Sequence, residues 1–276
     1  MEIETILILI RKELRESLRN RWFILYSVAF AVLTLAISWL ALAGADQYGF
    51  AGFGSTAAGL VNLVMLVVPL MALSAGASSF AGEKERGTLA QLLAMPVTRV
   101  EVLLGKFIGL AIALAITLTI GFGISGIVIL LEGGQNNGGG YLTLVALACV
   151  LAAAMLSVGL LISVLNAKSS AAGGIAIIAW LILAFGSDLG LMGSAIIFRL
   201  HIWSLFNLAV SNPLEVFKMA TLYSSHASLH VLGPAGRYAM NHYGSGLWGI
   251  FLTVLGLWIA VPLGLTWWTF HHAEVP

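Results

Sequence analysis

Apolar runs long enough to cross a membrane dominate the chain, and the segments between them hold most of its charged residues. A helix that spans the ~30 Å hydrocarbon core of a bilayer needs about 20 apolar residues. The runs of that length are Trp22–Ala43, Ala57–Ala81, Phe107–Leu131, Leu142–Asn166, Ser170–Met192 and Leu247–Phe270. None alternates polar with apolar residues, as a strand of a membrane barrel would. The pattern therefore predicts an all-α polytopic membrane protein with six transmembrane helices, which occupy residues 22–270.

Composition narrows the class of protein further. Hydrophobic residues make up 60% of the 276 residues and charged residues only 9%, whereas about 25% of a typical soluble domain is charged. Such a chain has too few charges to cover a soluble fold, and it is too apolar to be disordered. The net charge of +1 gives no indication of nucleic-acid binding. Cys149 is the single cysteine, which excludes an internal disulfide.

Basic residues are distributed unevenly between the two sides of the predicted bundle. They are concentrated in residues 11–21, before the first span, and in residues 84–106, between the second and third spans, and Lys168 follows the fourth. The loops on the other side, Gly44–Thr56 and Glu132–Tyr141, contain none. Because lysine and arginine resist translocation, both termini, including the tail 271–276, are predicted to be cytoplasmic.

Residues 1–21 have the pattern of an amphipathic helix. Arg11, Arg15 and Arg19 recur four residues apart. The apolar residues recur at three- and four-residue steps and are Ile3, Ile6, Leu7, Ile10, Leu14 and Leu18. This arrangement is typical of a helix that lies in the membrane interface with its basic groups toward lipid phosphates. The alternative is a solvated basic segment that only fixes the topology.

The cytoplasmic segment 82–106 is predicted to contain a short amphipathic helix. Thr88 is placed to cap this helix, which would run to Met95 because Pro96 cannot continue it. The apolar face of the helix consists of Leu89, Leu92 and Leu93. That is more apolar surface than a free loop would expose, so we expect a partner to dock here. The alternative is a basic connector without a partner.

The third span begins with a capping box, in which Thr98 is followed three residues later by Glu101. Glycines in this span and in the fifth predict close packing between helices. The glycines with this predicted role are Gly105, Gly109, Gly121, Gly123, Gly126, Gly173 and Gly174. Residues 121–126 also match a dinucleotide-binding pattern, but no strand precedes them as such a loop requires.

The long segment 193–246 is predicted to be extracytoplasmic and helical. Gly193–Val210 is apolar but contains Arg199, so we expect an interfacial helix anchored by Trp203 and Phe206. The alternative is a seventh span, which would bury the arginine at a cost of ~3 kcal/mol.

A second extracytoplasmic helix is predicted to begin at Asn212, which acts as its cap, with Pro213 in the first turn. Glu215 and Lys218 lie three residues apart on this helix and face each other. An ordered helix outside the membrane is a candidate contact for a periplasmic partner, through these four residues.

The sequence lacks motifs for catalysis and for nucleotide binding. It contains no GxxxxGK[ST] loop, HExxH helix or GxSxG elbow, so we predict a non-catalytic subunit with no cofactor of its own. His226 and His230 stand four residues apart and are weak metal candidates, but one helical pair does not complete a site. A solvated helix face is the alternative, and we predict no metal. Ionisable residues are scarce within the spans, which disfavours a secondary carrier that works alone.

The segment 82–106 resembles the cytoplasmic coupling region of ABC-2 type permeases. The stretches that carry the resemblance are Glu83-Lys84-Glu85-Arg86-Gly87-Thr88-Leu89, Pro96-Val97-Thr98-Arg99 and Gly105-Lys106. The resemblance extends along the whole chain and implies the ABC-2, type V-like, permease fold. It also implies which residues contact a cytoplasmic ATPase subunit. These are Glu83, Lys84, Glu85, Arg86, Gly87, Thr88, Leu89, Leu92 and Leu93.

The resemblance carries expectations about partners and role. It implies a homodimer in a bacterial inner membrane, with ATP and Mg bound by the separate ATPase. Within the family the chain is similar to permeases that serve copper-site assembly in periplasmic nitrous oxide reductase. That role implies export of a small, sulfur-containing species or mechanical work on a periplasmic accessory protein. An ABC-2 exporter of another substrate is the alternative.

Overall fold

The structure, a computed structural model, describes residues 3–48, 53–131, 138–196, 202–224, 239–240 and 242–272. In chain order the helices are α1 (Ile3–Arg19), α2 (Arg21–Tyr48), α3 (Phe53–Glu85), α4 (Thr88–Leu93), α5 (Arg99–Leu131), α6 (Gly138–Leu165), α7 (Ser169–Ile196), α8 (Ile202–Ser211), α9 (Pro213–Ser224) and α10 (Leu247–His272), the last preceded by a 3₁₀ turn at Gly244–Gly246. These ranges contain no strand, which confirms the predicted all-α class.

Six of the described helices are long and apolar enough to cross a membrane. They are α2, α3, α5, α6, α7 and α10, and they coincide with the six predicted spans. Helix α5 begins earlier than its apolar run because the predicted capping box is formed. The Glu101 carboxylate accepts a hydrogen bond from the Thr98 amide at 2.9 Å, and Thr98 Oγ1 accepts one from the Glu101 amide at 3.3 Å.

The pair α3 and α6 forms the centre of the bundle. Their backbones approach so closely at Gly76 and Gly159 that a Cβ on Gly76 would lie 2.7 Å from a backbone oxygen of α6. Nearby, Ser163 Oγ donates to the Ala77 carbonyl at 2.7 Å and accepts a hydrogen bond from the Ala81 amide at 2.8 Å. The hydrophobic effect does not drive helices together inside a lipid bilayer. Close packing of small residues and the hydrogen bonds of one hydroxyl therefore hold this helix pair together.

The glycines predicted to serve close packing fall into two groups. Those at which a Cβ would press on another helix are Gly105, Gly109, Gly121 and Gly126. At Gly123, Gly173 and Gly174 a Cβ would have no neighbour within 4 Å among the described residues. For these three glycines the prediction is wrong within the described part of the chain, where the space beside them is open.

Helices α8 and α9 form a hairpin whose turn lies beside the middle of α10. The end of α9 is near the start of α10, where Tyr223 Oη donates to the Gly244 carbonyl at 3.2 Å. At the turn, Trp258 Nε1 donates to the Ser211 carbonyl at 3.2 Å. Trp258 lies about 16 Å along α10 from its first residue, at 1.5 Å per residue. The hairpin therefore reaches the middle of a membrane-spanning helix.

Asn212, which is buried, provides hydrogen bonds on both sides of this turn. Its Oδ1 accepts from the Leu214 amide at 2.8 Å, which confirms the predicted N-cap, and its Nδ2 donates to the Leu183 carbonyl of α7 at 2.7 Å. Pro213 has no amide hydrogen to satisfy. Backbone polar groups away from water require such partners, so one side chain both begins α9 and fixes the hairpin to α7.

The residues predicted to meet a periplasmic partner lie mostly inside the protein. Asn212, Pro213 and Glu215 are buried, and Lys218 Nζ lies 3.8 Å from Glu215 Oε1, as the predicted pair requires. Helix α9 therefore packs within the bundle, against α6 and α10, and its contact with a periplasmic partner stays a prediction. Most residues of α9 are apolar, and its buried polar side chains have partners within the protein, Glu215 with Lys218 and Thr221 with the Phe217 carbonyl.

The two predicted interfacial anchors of α8 differ in their surroundings. Trp203 is exposed, as an anchor would be. Phe206 is buried and stacks on Tyr243 with 5.5 Å between ring centres, so it packs within the protein. Of the predicted interfacial helix over 193–210, the structure describes residues 193–196, which belong to α7, and residues 202–210, which belong to α8.

Two substitutions separate the roles of Asn212. Serine keeps a capping oxygen but cannot reach the Leu183 carbonyl, so we expect Asn212→Ser to lower the free energy of unfolding by about 1 kcal/mol. Asn212→Ala loses the cap as well, for about 1 kcal/mol more. Thermal unfolding of the purified protein in detergent measures both. Equal stability of the serine variant and the parent protein would contradict the hydrogen bond to α7.

Candidate functional site

Two lysines and two glutamates meet where α1, α3 and α5 come together, and we call Lys12, Glu13, Glu83 and Lys106 the charged quartet. Lys106 Nζ lies 2.9 Å from Oε1 of both glutamates. Lys12 Nζ lies 2.8 Å from Glu83 Oε1 and 3.4 Å from Glu13 Oε1. The side chains of Glu13, Glu83 and Lys106 are 7%, 4% and 3% exposed. Because the four formal charges sum to zero, these groups can be buried together.

Helix α1 packs closely on α5 beside the quartet. A Cβ on Gly105 would lie 2.6 Å from Leu9 Cβ, and one on Gly109 would lie 2.7 Å from Glu13 Cβ. The buried face of α1 therefore runs through Leu9 and Glu13, and the predicted apolar stripe lies beside it. Leu7 of that stripe remains 58% exposed. Packing on α5 thus leaves apolar surface of α1 uncovered by the chain itself.

Two other charged residues of the segment 82–106 contact the turn between α6 and α7. The Lys84 ammonium donates to the Val164 carbonyl, at the end of α6. Glu85 Oε2 accepts a hydrogen bond from the Ser169 amide, at the start of α7, at 3.0 Å. Each charge has the sign that the helix end attracts, positive at a C-terminus and negative at an N-terminus.

Arg99 makes the equivalent contact with α10. Its guanidinium donates to the carbonyls of Phe270 and His271, the latter at 2.7 Å, and it lies 5.7 Å from the centre of the Phe270 ring. The last helix thereby ends against the first residue of α5. Together with the quartet, these contacts tie the residues flanking α4 to α1, α5, α6, α7 and α10.

Helix α4 follows a left-handed turn and directs its leucines inward. The N-cap is Gly87, with φ of 72°, a conformation that favours glycine. Thr88 is instead the first helical residue, and its hydroxyl donates to a carbonyl of α3 at 3.3 Å. The prediction that Thr88 caps the helix is wrong because the sharp reversal after α3 places glycine at that position. Leu89 is buried, and Leu92 and Leu93 pack against the core.

The surface that α4 and the residues after it present to solvent is small and weakly polar. We call it the α4 outer face, and it consists of Ala90, Gln91, Ala94 and Met95. The helix itself ends at Leu93, two residues earlier than predicted. Because both flanks of α4 are tied to other helices, a force on this face would be passed to the bundle.

The predicted ATPase-contact residues divide into an internal and an exposed group. The internal, buried or half-buried residues are Glu83, Lys84, Leu89, Leu92 and Leu93. The exposed residues are Glu85, Arg86, Gly87 and Thr88. The contact with an ATPase stays a prediction, for which only the second group and the α4 outer face offer much free surface. Even there, Arg86 Nη2 lies 3.6 Å from Glu16 Oε1 of α1.

Sequence reasoning missed three members of the quartet. Lys12 and Lys106 lie in the basic segments that predict the topology, Lys106 also belongs to the Gly105-Lys106 stretch of the family resemblance, and the sequence predicts no role for Glu13. Their buried position follows from how α1 lies on α5, which is a tertiary contact. Gly105 and Gly109 give a partial signal, because two small residues four positions apart indicate that another helix packs closely at this place. Lys106 lies between them and would therefore face or flank that helix.

Carboxylates near the quartet do not form a convincing metal site. Oxygens of Glu13, Glu16 and Glu83 lie within 4.8 Å of one another. Lys12 and Lys106 neutralise Glu13 and Glu83, and Glu16 lies 3.6 Å from the guanidinium of Arg86. A metal cation would therefore have to displace a cationic side chain. The predicted weak metal candidates, His226 and His230, lie outside the described residues.

The surroundings of Lys12 raise its pKa. Burial by itself lowers the pKa of this ammonium, but the hydrogen bond and charge of Glu83, together with Glu13 and Glu16, outweigh burial. A raised pKa means that the ion pairs stabilise the folded protein at neutral pH. Their contribution is lost only as the pH rises through the pKa of Lys12 in the folded state.

Comparison with known proteins agrees with the architecture. Residues 7–275 match the model of a family described as ABC-2 family transporter protein. The chain is 30% identical to the probable ABC transporter permease protein NosY of Pseudomonas aeruginosa, over 96% of this chain and 97% of that protein. It is 34% identical to the probable ABC transporter permease protein NosY of Stutzerimonas stutzeri, over 81% of this chain and 83% of that protein.

Proposed function

This chain belongs to the ABC-2 transporter family, and on that premise we propose that it is a permease subunit whose separate ATPase docks on the α4 outer face. The ATPase would bind ATP and Mg. The chain itself would contribute no catalytic group and hold no cofactor, since nothing in its sequence forms a phosphate-binding loop.

One observation carries the proposal: α4 is exposed on one side and tied to the bundle on both flanks. On the side before α4, Glu83 joins the quartet and Glu85 contacts α7. On the side after α4, Arg99 holds the end of α10. A displacement of α4 by nucleotide-driven closure of the ATPase would therefore move several spans together. Near-rigid helices would carry that movement to the opposite end of the bundle.

The proposal includes an assembly and a location. We place the permease in a bacterial inner membrane with both termini in the cytoplasm, because the basic residues cluster at the end that carries α1 and α4. Two copies would form a homodimer with two ATPases. The apolar residues exposed on α7 give a surface for lipid or for a second copy, and include Ile175, Ile177, Ile178, Leu181 and Ile182.

The cellular role that we propose is service to copper-site assembly in periplasmic nitrous oxide reductase. Its support is the similarity to the two NosY permeases along most of the chain. The work done would be export of a small, sulfur-containing species or mechanical work on a periplasmic accessory protein. Because Asn212, Pro213 and Glu215 are buried, such a protein would meet other parts of segment 193–246.

A pull-down of the tagged permease from gently solubilised membranes tests the docking. We expect stoichiometric recovery of an ATPase and ATP turnover in the eluate. Ala94→Arg places a long charged side chain on the α4 outer face, where a close-packed contact leaves no room for it. We expect at least a tenfold loss of bound ATPase, a cost of about 1.4 kcal/mol. Quantitative mass spectrometry of the eluate measures the loss.

The matched control is Ala167→Arg, which makes the same change at an exposed alanine in the turn between α6 and α7. We expect this variant to retain the ATPase. Equal losses in both variants would contradict docking on the α4 outer face. A permease that elutes without any ATPase would contradict the proposed function as a whole. A co-eluting periplasmic protein would favour mechanical work over export.

A further inference from the structure

The face of α1 that points away from α5 carries a row of exposed cations. Arg11, Arg15 and Arg19 stand four residues apart, and all three are exposed. In the part of the chain that the structure describes, no carboxylate forms an ion pair with any of them. Exposed guanidinium groups on one helix face are well suited to phosphate groups, which they bind through two parallel hydrogen bonds.

Exposed apolar side chains lie beside the arginines on the same helix. Leu7, Ile8 and Leu18 are 58%, 69% and 49% exposed. At 3.6 residues per turn, Leu7 and Leu18 lie next to Arg11 around the helix, and Ile8 lies between Arg15 and Arg19. A surface that joins leucines to arginines fits the boundary between acyl chains and headgroups, because each side chain type finds its solvent there.

We propose that α1 binds the anionic phospholipid headgroups of the adjacent leaflet through Arg11, Arg15 and Arg19, and that the charged quartet passes this binding to the segment 82–106. The consequence is that ATP turnover of the assembled transporter rises with the negative charge of the leaflet. The lipid site stands on the geometry of α1 alone, whereas the effect on turnover rests on the proposed function.

The quartet gives α1 a stiff connection to the segment that precedes α4. Lys12 and Glu13 are paired with Glu83 and Lys106 at 2.8 to 2.9 Å, in a site where the glutamates and Lys106 are almost fully buried. Separating buried partners would leave unpaired charges away from water, which is strongly unfavourable. Helix α1 and the end of α3 therefore move as one body, and headgroups that hold α1 also hold α4 in position for the ATPase.

The test uses the complete transporter in two kinds of nanodisc, one of phosphatidylcholine alone and one that also contains phosphatidylglycerol. Native mass spectrometry counts the phosphatidylglycerol retained by the complex, and a phosphate-release assay measures ATP turnover. We expect retained phosphatidylglycerol and a several-fold higher turnover in the mixed bilayer. Higher salt should reduce both, because it screens headgroup charge.

Charge at the three arginines is tested by two triple variants. Replacing all three with glutamine should weaken lipid binding by about fivefold per residue and remove the increase in turnover. Replacing all three with lysine keeps the charge and should preserve both. If the glutamine variant keeps the phosphatidylglycerol, the lipid site is wrong. If it loses the ATPase even in phosphatidylcholine, the arginines bind that partner instead, which also overturns the proposal.

The connection is tested by the double variant Lys12→Gln with Glu13→Gln, which removes one charge of each sign from α1 and leaves Glu83 paired with Lys106. We expect it to retain phosphatidylglycerol while its turnover no longer responds to that lipid. A normal response would overturn transmission through the quartet. A parent complex with no ATP turnover in either bilayer would instead contradict the proposed function. Retention of phosphatidylglycerol would still test the lipid site on α1.

Discussion

Replacing Lys106 with methionine is expected to be among the most destabilising single changes in this protein. Lys106 is the one cation of the charged quartet that is fully buried, and its ammonium contacts both glutamates at 2.9 Å. Removing it leaves two carboxylates facing each other with only Lys12 to neutralise them. Loss of one partner from a buried ion pair costs about 3–5 kcal/mol. Chemical unfolding of the purified protein in detergent measures this difference.

Lys12→Met is the matched control, because it removes the same kind of group from the same cluster. The Lys12 side chain is 41% exposed, so water already shields its charge, and Glu83 keeps Lys106 as a partner. We expect a loss smaller than about 2 kcal/mol. Combining Lys106→Met with Glu13→Gln and Glu83→Gln should recover part of the stability, since no net charge stays buried. Equal losses for the two single lysine variants would contradict the assigned burial.

Gly76→Ala is expected to separate the central helix pair. The added Cβ would lie 2.7 Å from the Leu156 carbonyl oxygen and 2.9 Å from Gly159 Cα. Both neighbours are backbone atoms of α6, so neither can move aside as a side chain would. Relief requires α3 and α6 to shift apart, which also stretches the hydrogen bonds of Ser163. Overpacking of this kind costs about 1–3 kcal/mol or more, and the thermal midpoint in detergent should fall accordingly.

Gly123→Ala makes the same chemical change where a Cβ would have no neighbour within 4 Å. We expect the thermal midpoint of this variant to stay the same or to rise slightly, because alanine favours a helix more than glycine does. The contrast isolates packing from helix propensity. A similar fall in both variants would show that glycine matters in these helices for a reason other than the close approach of α3 and α6.

The long apolar helices and their local starts could be predicted from the sequence because they depend on neighbours along the chain. Length and hydropathy are sufficient for a span, and a capping box such as Thr98 with Glu101 closes within one helical turn. The N-cap of α9 at Asn212 belongs to the same class. The predicted cap of α4, Thr88, lies one residue after the actual cap, Gly87, whose left-handed conformation the sequence alone does not require.

The partners of the charged residues could not be predicted, because they come from distant parts of the chain. The family resemblance implies that Glu83–Arg86 contact an ATPase, for which these residues would have to face outward. In the structure Glu83 is neutralised by residues 71 positions before it and 23 after it, Lys12 and Lys106, and Glu85 caps a helix that begins 84 residues later. Which charge is buried depends on which helix ends meet, and the apolar periodicity of a span carries no information on that.

The position of the α8–α9 turn beside the middle of α10 has a consequence for how the chain is inserted during synthesis. The backbone polar groups of Ser211 and Asn212 enter the apolar part of the membrane, where they need hydrogen-bond partners. One of these partners, the Trp258 side chain, belongs to the last helix. Until α10 has been synthesised and inserted, the hairpin lacks the hydrogen bond from Trp258 and the helix surface against which it packs. We expect a chain truncated before residue 247 to present this hairpin as an exposed defect, and membrane quality-control proteases to remove it.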